Sequence, residues 1–207
     1  MCDVDRFVHV IDLPSPTGWA DIGSFNAALA CELRSLHSAR QAPIDQTLRV
    51  GTQTLGDLFE QGHPLVNALK DRIAEAVDGY LAGLPVEAPH PFLGQRTAGW
   101  RFTDSWSSRL QRQGFHTDPV HPHGWISSVY YVTVPPGLAS HPQHEDWLQF
   151  GRPDLPLPGV DRDTLVQRRV APQPGRLVLF PSMLWHGTVP FGAAAERLTI
   201  AFDVVPA

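Results

Sequence analysis

Apolar residues recur at helical spacing twice in the first half of the chain. Between residues 21 and 38, Phe25, Ala28, Leu29, Leu33 and Leu36 fall three or four positions apart in one stripe. That pattern predicts an amphipathic helix buried along one face. Asp21 or Ser24 can cap its start, since a side-chain oxygen there accepts from N–H groups that lack partners in the first turn. Leu65, Leu69, Ile73, Val77 and Leu81 share a face in the same way. Pro64 suits the first turn of that second helix, expected over residues 64–81, because its missing N–H would be unpaired there anyway. Ahead of both, residues 7–11 alternate loosely and read as a short strand.

Beyond Pro89 the pattern changes. Gly, Pro and β-forming residues dominate, and no long helical period survives. Strands are expected over 99–105, 110–118, 125–134, 147–150, 167–170, 176–180 and 198–205. Many short strands punctuated by turn residues indicate an antiparallel sandwich or barrel. The stretch 135–158, rich in Pro and charged groups, is expected to run over the surface. No internal repeat is present. A chain of 207 residues fits one domain and can bury about 70% of its unfolded surface without staples. The expectation is a single domain over 1–207, with a helical part at about 20–85 and a β core at about 95–207.

Composition narrows the function. The 43% hydrophobic and 18% charged content is that of a soluble globular protein. A net charge of -5 with no Lys or Arg run argues against nucleic acid, which requires a concentrated basic face. Cys2 and Cys31 are the only cysteines, so no disulfide framework is expected and a reducing, cytoplasmic compartment is the natural reading. Residues 1–10 lack the apolar run of a signal peptide. Nothing approaches the roughly 20 apolar residues needed to cross a membrane.

The ten histidines matter by placement. His116-Thr117-Asp118 closes one expected strand, where residues two apart share a face, so an imidazole and a carboxylate stand side by side. Those are two of the three ligands of the 2-His-1-carboxylate triad that holds iron(II) and leaves positions open. His186, after the apolar run at 176–180, supplies the third from a distant strand. Arg197 and Thr199 open the last strand. A guanidinium there can hold the far carboxylate of 2-oxoglutarate through two parallel N–H bonds, with the hydroxyl beside it. The β-forming run from Trp125 to Val132 lies between. It can point a tyrosine hydroxyl toward the metal, and alternation sends only one of Tyr130 and Tyr131 inward.

The order of these parts resembles a known family. His-x-Asp, aromatic strand, late His and Arg-x-Thr occur together with Arg49-Val50-Gly51-Thr52-Gln53-Thr54, Trp106-Ser107-Ser108-Arg109-Leu110 and the segments 124–132, 175–182, 186–191 and 197–203. From about residue 48 onward the chain resembles the 2-oxoglutarate/Fe(II) oxygenases found as stand-alone domains or behind tetratricopeptide repeats. It also resembles prolyl hydroxylases in the order of its strands. The resemblance implies a mainly β fold with N-terminal helices, a double-stranded β-helix (jelly roll) with the helices outside one sheet. It implies an Fe(II)/2-oxoglutarate-dependent dioxygenase, a hydroxylase by default, acting on a small-molecule or peptide substrate. It makes Tyr131, with Tyr130 as the alternative, the tyrosine contacting 2-oxoglutarate, the co-substrate. A carboxylate at Asp118 argues against halogenation.

One departure stands out. Relatives commonly carry a His-x-His-Pro run whose second His matches His121, and its first position is Pro119 here, which cannot bind metal. Two ligand sets follow from the resemblance: His116, Asp118 and His186, which is preferred, or His121 in place of His116. Pro119 also supports an alternative reading, a catalytically inactive binding module on the same scaffold. The remaining histidines have plainer expectations. His9, His37, His63 and His90 read as surface or capping residues, His141 and His144 as solvated, and His123 as part of a turn. Trp185 and Phe191 read as core, and Arg101 and Arg109 as ion-pair partners or as groups that neutralise an acidic substrate.

Overall fold

The computed structural model describes residues 3–37, 48–116, 120–192 and 195–207, with 48–50 and 111–116 described by their backbone. A helical turn α1 (Val4–Phe7) precedes strand β1 (His9–Asp12). The strand expected over 7–11 therefore begins later, because Asp3 accepts from the Arg6 N–H at 3.0 Å and caps a turn that runs through Phe7. Helix α2 (Ile22–Leu36) is capped by Asp21, which accepts from the Ser24 N–H at 2.7 Å. Helix α3 (Pro64–Gly83) starts at its proline. The apolar stripes of both are sealed: Phe25, Leu29 and Leu33 of α2 and Leu69, Ile73 and Val77 of α3 are all 0% exposed.

Strands β2 (Leu48–Gln53), β3 (Trp100–His116), β4 (Ile126–Thr133), β7 (Arg176–Pro181) and β9 (Arg197–Pro206) join β1 in a six-stranded sheet of order β1-β7-β4-β9-β3-β2. Strands β5 (Leu148–Phe150), β6 (Arg168–Val170) and β8 (His186–Thr188) form a second sheet of order β6-β5-β8. Every pair is antiparallel, and after β4 the chain passes repeatedly between the sheets, giving the jelly roll.

Three expectations need correction. Residues 99–105 and 110–118 are not separate strands, since one strand, β3, runs unbroken to His116. Its polar middle is carried by ladders on both sides, Trp106 to Leu110 against β9 and Ser108 to Leu110 against β2. Strands β2 and β8 have no counterpart in the hydrophobic pattern, because β2 contains Gly51 and β8 is only His-Gly-Thr. The stretch 135–158, expected on the surface, contributes the buried β5 and a fully buried Asp146.

Alternation sorts the side chains into two layers. Tyr130 and Val132 of β4, Leu177 and Leu179 of β7, and Leu198, Ile200, Phe202 and Val204 of β9 face α2 and α3. The intervening Val129, Tyr131, Val178 and Phe180 face Leu148, Phe150 and Val170 of the small sheet. The helices therefore cover the outside of the large sheet, and the space between the sheets is left to hold a site. Among the described residues no helix is long and apolar enough to cross a membrane.

Candidate functional site

Strand β9 reads Arg197, Thr199, Ala201, Asp203 on the face opposite its apolar set, so the period of two delivers a polar row into the space between the sheets. Ser108 of β3 pairs with Thr199, and Tyr131 of β4 pairs with it from the other side. The resulting cavity is lined by Trp106, Ser108, His121, Ser128, Phe180, His186, Thr188, Arg197 and Thr199 and encloses about 510 Å³, its mouth included.

One end of the cavity is built around two imidazoles. His121 sits on a turn stapled to the end of β7: its N–H donates to the Ser182 carbonyl at 2.9 Å, and the Ser182 N–H donates to Trp125 at 3.0 Å. Its Nδ1 lies 2.8 Å from Asp203 Oδ2. The Ser127 hydroxyl donates to Asp203 Oδ1 at 2.6 Å, which fixes that carboxylate. His186 opens β8, with Nδ1 2.9 Å from the Leu184 carbonyl, to which it donates. The two rings stand 5.0 Å apart. With each Nδ1 committed to an acceptor, each Nε2 keeps its lone pair, the arrangement that orients metal-binding histidines. Burial, helped by the adjacent His121, pushes His186 down to about 4, against the opposing pull of the Leu184 carbonyl and Asp203. The ring is therefore neutral at physiological pH, the form a metal requires.

The other end is built around a guanidinium. Arg197 is 2% exposed and Thr199 3%. Arg197 Nη1 donates to Thr188 Oγ1 at 3.1 Å and lies 3.1 Å from Asp146 Oδ1, and the guanidinium stands 5.1 Å above the Tyr131 ring. Just before it, Glu196 pairs with Arg109 at 2.5 Å and also with Arg34, which ties the start of β9 to β3 and α2. Burial alone would raise the Glu196 carboxyl, but the bonds from Arg34 and Arg109 hold it below its ordinary value. Burial raises Tyr131 to about 12, so its hydroxyl keeps its proton. That hydroxyl and Ser108 Oγ are buried without a partner among the described residues. The Tyr130 hydroxyl instead donates to Asn26 Oδ1 of α2 at 2.8 Å, on the helix side of the sheet.

The expected site residues thus separate. His121, His186, Arg197 and Thr199 line one cavity, Tyr131 lies beside it and Tyr130 faces away. His116 ends β3 and is described by its backbone, where it pairs with Leu48. Asp118 lies outside the described residues. Among the described residues no group of three or more His, Cys, Asp or Glu side chains could enclose an ion. The two imidazoles fit one, and a third ligand would come from elsewhere. Sequence reasoning missed Asp203, Ser127 and Asp146. The first was readable from the polar alternation along β9; the others depend on strand pairing. His37, expected at the surface or as a cap, follows α2 and bridges Thr52 Oγ1 (2.8 Å) and Ser107 Oγ (3.1 Å).

Residues 104–203 match a family described as "Putative 2OG-Fe(II) oxygenase". No curated protein sequence matches the chain. Among solved structures, a Pseudomonas putida prolyl-4-hydroxylase is similar at TM-score 0.57 and 17% identity, over 99% of this chain and 96% of that one. HygX from Streptomyces hygroscopicus, with nickel and 2-oxoglutarate bound, is similar at TM-score 0.59 and 15% identity, over 99% and 85%. A Trichoplax adhaerens prolyl hydroxylase in complex with a hypoxia inducible factor peptide fragment is similar at TM-score 0.59 and 15% identity, over 98% and 85%. Likeness at these identities is a likeness of fold.

Proposed function

Because residues 104–203 match a family of 2-oxoglutarate/Fe(II) oxygenases, we propose that the chain hydroxylates a small molecule or a peptide side chain at the cavity between its sheets. In this reading His121 and His186 hold Fe(II), and Asp118 completes the triad. The observation that carries it is the imidazole pair, 5.0 Å apart with both Nδ1 atoms committed, in one cavity with Arg197 and Thr199. This favours His121 over His116 as the first imidazole. When bound, Fe(II) with 2-oxoglutarate supplies the oxidising chemistry, and O₂ and the co-substrate are its other reactants.

The protein's own residues supply orientation. Arg197, with Thr199 beside it, takes the far carboxylate of 2-oxoglutarate and aims its keto-acid end at the histidines. The Tyr131 ring supports the guanidinium from one face. Phe180, whose ring lies 4.6 Å from that of His186, keeps water from that side of the pair. Asp203 fixes the His121 ring, as a carboxylate behind a ligand histidine does. Substrate enters through an adjoining open cleft lined by Gln53, Thr54, Asp57, Asp104 and Trp106, with Trp106 shared between cleft and cavity.

The test is succinate formation from 2-oxoglutarate by the purified protein with Fe(II) under air. Activity that is lost in Arg197→Ala and recovered at high 2-oxoglutarate is expected. Turnover of an oxidisable substrate indifferent to 2-oxoglutarate would point to a dioxygenase without that co-substrate. A folded protein that binds neither metal nor 2-oxoglutarate would return the chain to a binding role.

A further inference from the structure

The guanidinium end of the cavity holds a charge that the reading above leaves unused. Asp146 is 0% exposed, and its Oδ1 lies 3.1 Å from Arg197 Nη1. Among the described residues neither Asp146 oxygen has an aligned hydrogen bond, and Arg197 Nε and the Tyr131 hydroxyl are likewise buried and unpartnered. The backbone at Asp146 is left-handed, with φ 65°. A non-glycine residue there is strained and persists only where its surroundings over-determine it. They do so here: the Asp146 N–H donates to Val189 at 3.0 Å, and the Val189 N–H donates to Trp147 at 3.0 Å, locking the residue beside β8.

The groups around it come from several elements. Arg197 faces it from β9, and Tyr131 faces it from β4 with the Arg176 charge of β7 acting on that tyrosine. On its own segment, Glu145 is engaged by the Gly192 N–H at 2.7 Å and the His144 ring meets the Trp147 ring edge-on, their centroids 4.7 Å apart. Arg197 is thus the one positive charge in direct contact with the Asp146 carboxylate among the described residues.

We propose that Asp146 is a positioning residue for the co-substrate: it holds the Arg197 guanidinium ready, and it makes capture of the far carboxylate of 2-oxoglutarate take up one proton. This rests on Arg197 being the anchor. Arg197 and Asp146 together are neutral. A second carboxylate on the same buried guanidinium leaves one uncompensated negative charge, and two carboxylates sharing a site raise the proton affinity of one of them. Burial already lifts Asp146 to about 6 against the pull of Arg197, so the proton goes there. As a neutral acid, Asp146 then has an O–H to donate. The sign follows. Below about pH 6 Asp146 is protonated before the co-substrate arrives, and affinity is at its plateau. Above it, affinity falls by up to about tenfold per pH unit, until the pH passes the higher pKa of the complex.

The experiment is calorimetry of 2-oxoglutarate binding to the Ni(II)-loaded, full-length protein at pH 6, 7 and 8, in buffers of different ionisation enthalpy. The wild type is expected to take up close to one proton per 2-oxoglutarate at pH 7, with Kd rising toward tenfold from pH 7 to 8. Asp146→Asn, which keeps an acceptor for Arg197, is expected to lose the uptake and to bind more tightly than wild type at pH 8. Binding by the wild type with no proton uptake and a flat profile overturns the inference whether or not the variant folds. So does an Asp146→Asn protein that keeps the slope. Absence of 2-oxoglutarate binding at every pH overturns the anchor reading and this inference together.

Discussion

At the scale of single residues, the site depends on which ring nitrogen of each histidine is left free. His121 and His186 each spend Nδ1 on a protein acceptor, so each offers Nε2 to the cavity. His121→Ala should therefore abolish tight metal binding as His186→Ala does, whereas His116→Ala should leave it within a few-fold of wild type. A metal titration of the three variants decides this, and loss only in His116→Ala would reinstate the other ligand set. Asp203→Asn, which weakens the hold on His121, should cost about 10–100-fold in metal affinity.

A second residue-scale expectation concerns acid. Burial, with Arg109 next, lowers His37 to about 4. Between pH 6.5 and 4 the unfolded chain therefore binds a proton there that the folded chain refuses. The stability contributed by His37 is complete above about 6.5 and is lost as pH falls toward 4, by about 1 kcal/mol per unit. His37→Gln, able to bond Thr52 and Ser107 without titrating, should flatten the acid limb of urea midpoints measured over that range. An unchanged slope would show that His37 does not titrate this way.

At the scale of elements, two glycines separate fold from site. Gly175 opens β7 at φ +86°, and a Cβ there would stand 2.9 Å from Ile22 Cγ1 of α2. Gly175→Ala should cost about 1–3 kcal/mol in unfolding free energy with little change in metal affinity. Gly124 lies in the turn carrying His121, and a Cβ there would stand 2.6 Å from Ser182 Oγ and 3.5 Å from the Asp203 carboxyl carbon. Its alanine variant should lower metal affinity about tenfold, within the range for disturbed supporting groups, while thermal unfolding shifts less than in Gly175→Ala. Equal effects of the two on both measurements would show that the turn and the site are not linked.

At the scale of the molecule, the helices stabilise the large sheet from outside and take no part in the cavity. Leu33→Ala on α2 should cost about 2–5 kcal/mol by leaving a void in a fully buried layer. Its Kd for 2-oxoglutarate, measured well below the unfolding temperature, should match wild type. A large change in that Kd would mean that the helical layer sets the geometry of the cavity.

The apolar stripes of α2 and α3, the β-rich second half and the opposite facing of Tyr130 and Tyr131 were all readable from the order of residues, because helical and strand periods are local properties of the backbone. Arg197 and Thr199 were readable as candidates because they open the last expected strand, and His186 because it follows the apolar run at 176–180. What the order of residues could not decide was which side chains meet. That His121 stands beside His186, that Asp203 and Ser127 hold it, and that Asp146 reaches Arg197 from a left-handed turn all depend on strand register and on two sheets closing over each other. Those contacts join residues tens of positions apart, and only the folded chain brings them within hydrogen-bonding reach.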